Sequence, residues 1–255
     1  MIPPLHASRG GPDDAPVLLL IHPMGADHRF WDDCRRAWEA SFRCLAVDLR
    51  GVGGSPPIAA PHPLEAHAAD LDAFCDAEGL RQVTVVGCAV GAMIATIFAA
   101  RSLDRCGRLV LSNPGYRTTP EARAALSTRA AGVRSTGMSA AANAVDLSFG
   151  GLASGHRIET YRHRFLAQDA EAYALQIDAM LDADVSAHLP AIRCATLVVA
   201  GGRDVLLPVH HATAITEGLA DAHLTVIDQA GHLIPYECPD RFADLVSDFA
   251  GGRSI

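Results

Sequence analysis

Residues 83–91 read Val-Thr-Val-Val-Gly-Cys-Ala-Val-Gly, and the chain carries no charge for 18 residues, from Val83 to Ala100. A β-branched start followed by two glycines predicts a buried strand that turns sharply into a buried helix through Met93, Ile94 and Ile97. The run is nominally long enough to span a bilayer. Gly87 and Gly91 interrupt it, so the strand-turn-helix reading is preferred. In such a turn small residues let two backbones pass closely and hold the central residue, here Ala89, exposed at the apex.

Working outward, short apolar runs bounded by turn residues recur at Val17 to Ile21, Cys44 to Val47, Leu109 to Leu111, Leu197 to Ala200 and Leu224 to Ile227. Their hydrophobicity is continuous, as expected of strands covered on both faces in a parallel sheet. Helical spacing appears between them. From Leu64 to Glu78, Leu64, Ala68, Leu71, Phe74 and Cys75 recur at helical intervals, with Asp and Glu on the other side. Alternating strands and helices predict an α/β fold with a mostly parallel central sheet flanked by helices. The Ala-rich stretch 117–189 lacks a convincing strand and is expected to be a helical lid inserted between core segments 1–116 and 190–255.

The 255 residues carry a formal net charge of -8 with 49% hydrophobic and 20% charged residues, the composition of an ordinary globular protein with one sizeable core. Without a basic run, neither nucleic acid nor an anionic membrane is an expected partner. The seven cysteines form no C-x-x-C pair, so no disulfide framework or zinc knuckle is indicated. A reducing cytoplasm fits best. The first residues, MIPPLHASRGGPDDAP, do not resemble a secretory signal.

Gly87-Cys88-Ala89-Val90-Gly91 occupies the context of the G-x-S-x-G nucleophile elbow, with Ala89 at the nucleophile position. A methyl group cannot attack a carbonyl. Cys88 is one position off the apex and is expected to point away as a small buried thiol. His22-Pro23-Met24-Gly25 follows the strand VLLLI, and Met24 and Val90 are the expected backbone N–H donors of an oxyanion hole. His22 itself is read as a polar residue closing a strand end. Asp204 follows LVVAGGR, and His232 follows LTVIDQAG. The order nucleophile, acid, histidine, with 115 residues from 89 to 204 and 28 from 204 to 232, is that of a Ser-Asp-His triad with room for the lid.

Other features take blander readings. Asp48-Leu-Arg-Gly-Val-Gly-Gly-Ser55 lacks the spacing of a dinucleotide or P-loop motif and is assigned to loop structure. His210 and His211, adjacent on a helix, should point in different directions as surface histidines, and no metal site is expected. No cofactor is expected either.

With these motifs in place the chain resembles the α/β-hydrolase superfamily over nearly its full length, and within it the 3-oxoadipate enol-lactonase and carboxylesterase group. The resemblance is carried by HPMGADHRFWD at 22–32, VDLRGVGGS at 47–55, VVGCAVGAMIA at 85–95 and SNPGYRTTPEARAALSTRAAGVRSTGM at 112–138. Two departures stand out: family members carry serine at position 89, and LSFGGLASGHR at 147–157 matches the group's pattern poorly. The resemblance implies the α/β-hydrolase fold and a serine hydrolase cleaving a small carboxylic ester or enol-lactone through an acyl-enzyme, here as an inactive Ser-to-Ala variant. A natural, non-hydrolytic relative that binds a small ligand or guides a reaction without a nucleophile is the alternative. A carboxylate-bearing lactone would need a cationic partner, for which Arg117, Arg129, Arg134, Arg162 and Arg164 are available.

Overall fold

The computed structural model describes residues 4–149 and 155–253, so part of the segment 147–157 lies outside the described residues. Seven strands form one sheet in the order β1-β3-β2-β4-β5-β6-β7. They are β1 (Ala7–Gly10), β2 (Val17–Ile21), β3 (Arg43–Val47), β4 (Val83–Cys88), β5 (Cys106–Ser112), β6 (Ala195–Gly201) and β7 (Ala222–Ile227). All neighbours pair in parallel except β1, which runs antiparallel to β3. Six of the strands coincide with the apolar runs. β1 reads Ala-Ser-Arg-Gly and lies at the sheet edge, where half its side chains meet solvent, so no apolar run announces it.

Period-two alternation sends Leu18, Leu20, Val86, Val110 and Leu197 to one face, and Leu19, Ile21, Val85, Leu109 and Val198 to the other. The first face is covered by α1 (Asp32–Trp38) and α10 (Pro239–Ala250), whose Trp38 and Phe242 pack with Trp31. The second face is covered by α2 (Leu64–Glu78), α3 (Val90–Arg101) and α8 (Val209–Gly218). Between β5 and β6 come α4 (Pro120–Thr136), α5 (Ala142–Ser148), α6 (His156–Leu166) and α7 (Ala170–Met180), with α4 and α7 packed together. A short α9 (Ile234–Glu237) precedes α10. The parallel strands all end at one edge of the sheet, so the loops after β2, β4, β5, β6 and β7 converge there.

Candidate active site

Ala89 lies between β4 and α3 at φ 52°, ψ -114°, a backbone conformation L-residues rarely adopt. The glycines around it explain how the turn is held. A Cβ on Gly87 would strike the carbonyl of Gly91, and one on Gly91 would strike the carbonyls of Ile21 and His22. The elbow therefore rests directly on the end of β2. Its amide is fixed as well, since Ala89 N–H donates to the Ser112 carbonyl at 2.9 Å. Val90 opens α3, where the first amides have no partner within the helix and form the positive end of its dipole.

Ala89, Met24, Val90 and His232 all line one cavity of about 420 Å³. His232 Nδ1 and Asp204 Oδ2 are 2.8 Å apart, and both residues are buried. Burial works against the Asp204 carboxylate. The His232 imidazole, the Leu207 amide and the Asn113 side chain outweigh it and hold the pKa below the ordinary 3.8. Asp204 Oδ1 accepts from the amides of Leu206 and Leu207, each at 2.9 Å, so the carboxylate keeps one orientation. With Nδ1 engaged, Nε2 is the His232 nitrogen left for proton transfer.

Three supporting residues escape sequence reasoning. Asn113 Nδ2 donates to Asp204 Oδ2 at 2.9 Å and to the Gly231 carbonyl at 3.0 Å, bridging the acid and the histidine loop. Its φ of 47° suits asparagine, and the Asn-Pro-Gly turn after β5 is the signal that could have found it. Glu237 accepts from the Gly231 and Leu233 amides, each at 2.9 Å, clasping the backbone on both sides of His232. Burial raises the Glu237 pKa. Ser148 on α5 accepts the His232 amide through its carbonyl at 2.8 Å. Neither of these last two has a sequence signature.

His22 closes the end of β2: Nδ1 donates to the Pro23 carbonyl at 2.8 Å, and Nε2 accepts the Leu49 amide at 3.0 Å. Burial lowers its pKa, so the ring is a neutral staple between two loops. Cys88 is fully buried, and desolvation pushes its thiol well above the ordinary 9.0, an inert group by the rules of thiolate reactivity. Of the two histidines on α8 expected to diverge at the surface, His210 is exposed as expected, whereas His211 is not and the two rings do not diverge. His210 and His211 both line the cavity with ring centroids 4.5 Å apart, and His211 is buried with Nδ1 accepting the Tyr116 amide at 3.1 Å. The loop after β6 brings the start of α8 over the cavity, which a helix-face argument does not register.

The five arginines separate. Arg134 pairs with Glu171 and Asp178, Arg162 with Asp146 and Glu159, and Arg117, which also lines the main cavity, with Asp184. Arg164 borders a separate small cavity beside Asp27 and Tyr236. Arg129 lines the main cavity next to Tyr173, and no carboxylate pairs with it among the described residues.

Two groupings elsewhere bring potential metal-ligating atoms within 4.8 Å of one another: His6, His28 and Asp48, and His62, His67 and Asp70. Neither lines the main cavity. Asp48, in the loop 48–55, accepts both imidazoles and the amides of His28 and Gly54, tying three segments together. In the second grouping the Arg50 guanidinium forks onto Asp70 and opposes a further cation there.

The profile described as the alpha/beta hydrolase family matches residues 18–245. A putative carbamate hydrolase RutD from Caulobacter sp. (strain K31) is 29% identical over 98% of this chain and 96% of its own length. A hydrolase from Pseudomonas aeruginosa PA01 superposes with a TM-score of 0.91 at 28% identity, over 97% of this chain and 94% of that one. The enol-lactonase from Burkholderia xenovorans LB400 superposes with a TM-score of 0.88 at 27% identity, over 97% and 96% of the two chains.

Proposed function

This chain belongs to the alpha/beta hydrolase family, and on that premise we propose that its site is laid out to cleave a small carboxylic ester or lactone, with Ala89 standing where the nucleophilic serine belongs. The observation that carries the reading is the buried 2.8 Å contact between His232 and Asp204 at the cavity that also holds Ala89. A serine at 89 would attack the carbonyl while His232 Nε2 took its proton and Asp204 steadied the imidazolium. Met24 and Val90 N–H would receive the oxyanion. His232 would then return the proton to the departing alkoxide, and water would release the acyl group by the same route. As it stands the chain forms no acyl-enzyme.

Helices α4 to α7, within 117–189, act as the lid over the cavity, and Arg129 supports a substrate carrying a negative group. No helix among the described residues is long and apolar enough to cross a membrane. A small-molecule substrate, no cofactor and a cytoplasmic setting complete the reading.

The test is to compare the chain with Ala89→Ser on a short-chain p-nitrophenyl ester and an enol-lactone. Turnover in the serine form alone is the expected outcome. A folded serine form inert on both substrates overturns the ester and lactone reading.

A second reading is favoured by the intact His232–Asp204 pair beside an alanine. Here His232 takes a proton from water as it attacks, and no acyl-enzyme forms. The carbamate hydrolase name of the Caulobacter relative makes a small carbamate the substrate to try. Ammonia release by the unaltered chain, abolished by His232→Ala, would establish it. Without release, the pocket acts as a ligand site or guides a reaction needing no nucleophile.

A further inference from the structure

Buried polar side-chain atoms almost always find a partner, so those that do not ask for an explanation. Two such atoms converge. His67 Nδ1 on α2 and Gln176 Nε2 on α7 are buried with no hydrogen-bond partner among the described residues, and both residues line one small cavity. His67 is 4% exposed and Gln176 8%. The cavity measures about 10 Å³, close to the room one water centre needs. Its remaining wall is apolar and includes Met24, Leu64, Val90 and Ile94.

We propose that this cavity is an internal water site in which one molecule bridges Gln176 to His67 and joins the lid to the core behind Met24 and Val90. A water both donates and accepts, so it satisfies the Gln176 amide and either tautomer of His67. The His67 ring also packs against the His62 ring in a T-shaped contact at a centroid distance of 4.5 Å. His62 in turn bonds Asp70 at 2.8 Å, so His67 is backed by a fixed group on one side and borders the cavity on another.

The position gives the site its consequence. Met24 and Val90 each have one side on this cavity and another on the main one. A bound water therefore fixes α7 against α2 at the point where the two backbone donors are held. Gln176 and His67 are positioning residues, and this consequence rests on the oxyanion-hole reading above.

The test is a high-resolution crystal structure of the full chain and of Gln176→Leu. One water within hydrogen-bond distance of both His67 and Gln176 is expected. A direct His67–Gln176 bond, or a dry cavity, overturns the site. In Gln176→Leu the water should vanish and the Met24 and Val90 backbones shift; unchanged backbones overturn the link to the donors. In the Ala89→Ser background, Gln176→Leu should lower kcat about tenfold with KM within about twofold, short of the 10²–10³ loss on removing an oxyanion donor itself. An inert Ala89→Ser chain would count against the functional reading alone, because the water is judged by electron density.

Discussion

At the scale of single residues, Ala89 at φ 52° holds a conformation that costs of order 1–3 kcal/mol for a non-glycine residue. Serine bears the same backbone cost and, on the triad reading, would present its hydroxyl to His232. Ala89→Ser should therefore leave stability within about 0.5 kcal/mol, the range of substitutions that break no specific feature, as checked by denaturant melts. If the triad reading holds, adding Asp204→Asn to that background should cut kcat by about 10⁴ by leaving His232 in the wrong tautomer. Circular dichroism of the double variant separates this from misfolding, and an equal kcat would remove Asp204 from the mechanism. Arg129 makes a different prediction, because its guanidinium meets no carboxylate among the described residues. Arg129→Met should raise KM for a carboxylate-bearing ester about tenfold or more, the worth of a hydrogen bond to a charged group, and leave a neutral ester unaffected. Equal effects on both esters would make Arg129 a packing residue.

Among elements, the elbow depends on how closely α3 approaches the end of β2. Gly91→Ala would place a methyl against the Ile21 and His22 carbonyls, at and just past the end of a central strand, where they cannot retreat singly. A loss of about 1–3 kcal/mol is expected, measurable as a lower denaturation midpoint, and activity restored by Ala89→Ser should fall with it. The elements themselves were largely legible, because a buried parallel strand must be apolar throughout and α2 displays its buried stripe at helical spacing. The polar edge strand β1 was not, since its partner β3 rather than its own hydrophobicity defines it. Within the site, the sequence order led to Asp204 and His232, which the fold places 2.8 Å apart. The groups that orient them were hidden: Glu237 acts through backbone amides, and Ser148 through its carbonyl, so residue type carries little of their role. His211 was misread because burial there comes from a loop arriving from β6 rather than from its own helix.

For the whole molecule, the buried side chains set how stability responds to acid. His67 lies on the buried face of α2, near His62, Asp70, His22 and Arg50, and burial above all lowers its pKa from 6.5 to about 3. Between those values the unfolded chain binds a proton there that the folded chain does not, so stability is held above pH 6.5 and lost as pH falls. Asp70 acts in a lower window. Burial opposes its charge, but His62 and Arg50 bring its pKa down to about 2, so its contribution fades only below 3.8. Asp204, also lowered, follows the same sign below 3.8. The first window therefore belongs to the neutral histidine, and between pH 7 and 4.5 it should remove about 2–3 kcal/mol, at 1.36 kcal/mol per pKa unit. Denaturant melts of His67→Phe at the two pH values isolate it, because any general destabilisation by phenylalanine is present at both and cancels in the difference. The variant should lose markedly less stability than the parent over that interval. Parallel losses in both proteins would mean that His67 is protonated in the folded chain or that other groups control the acid limb.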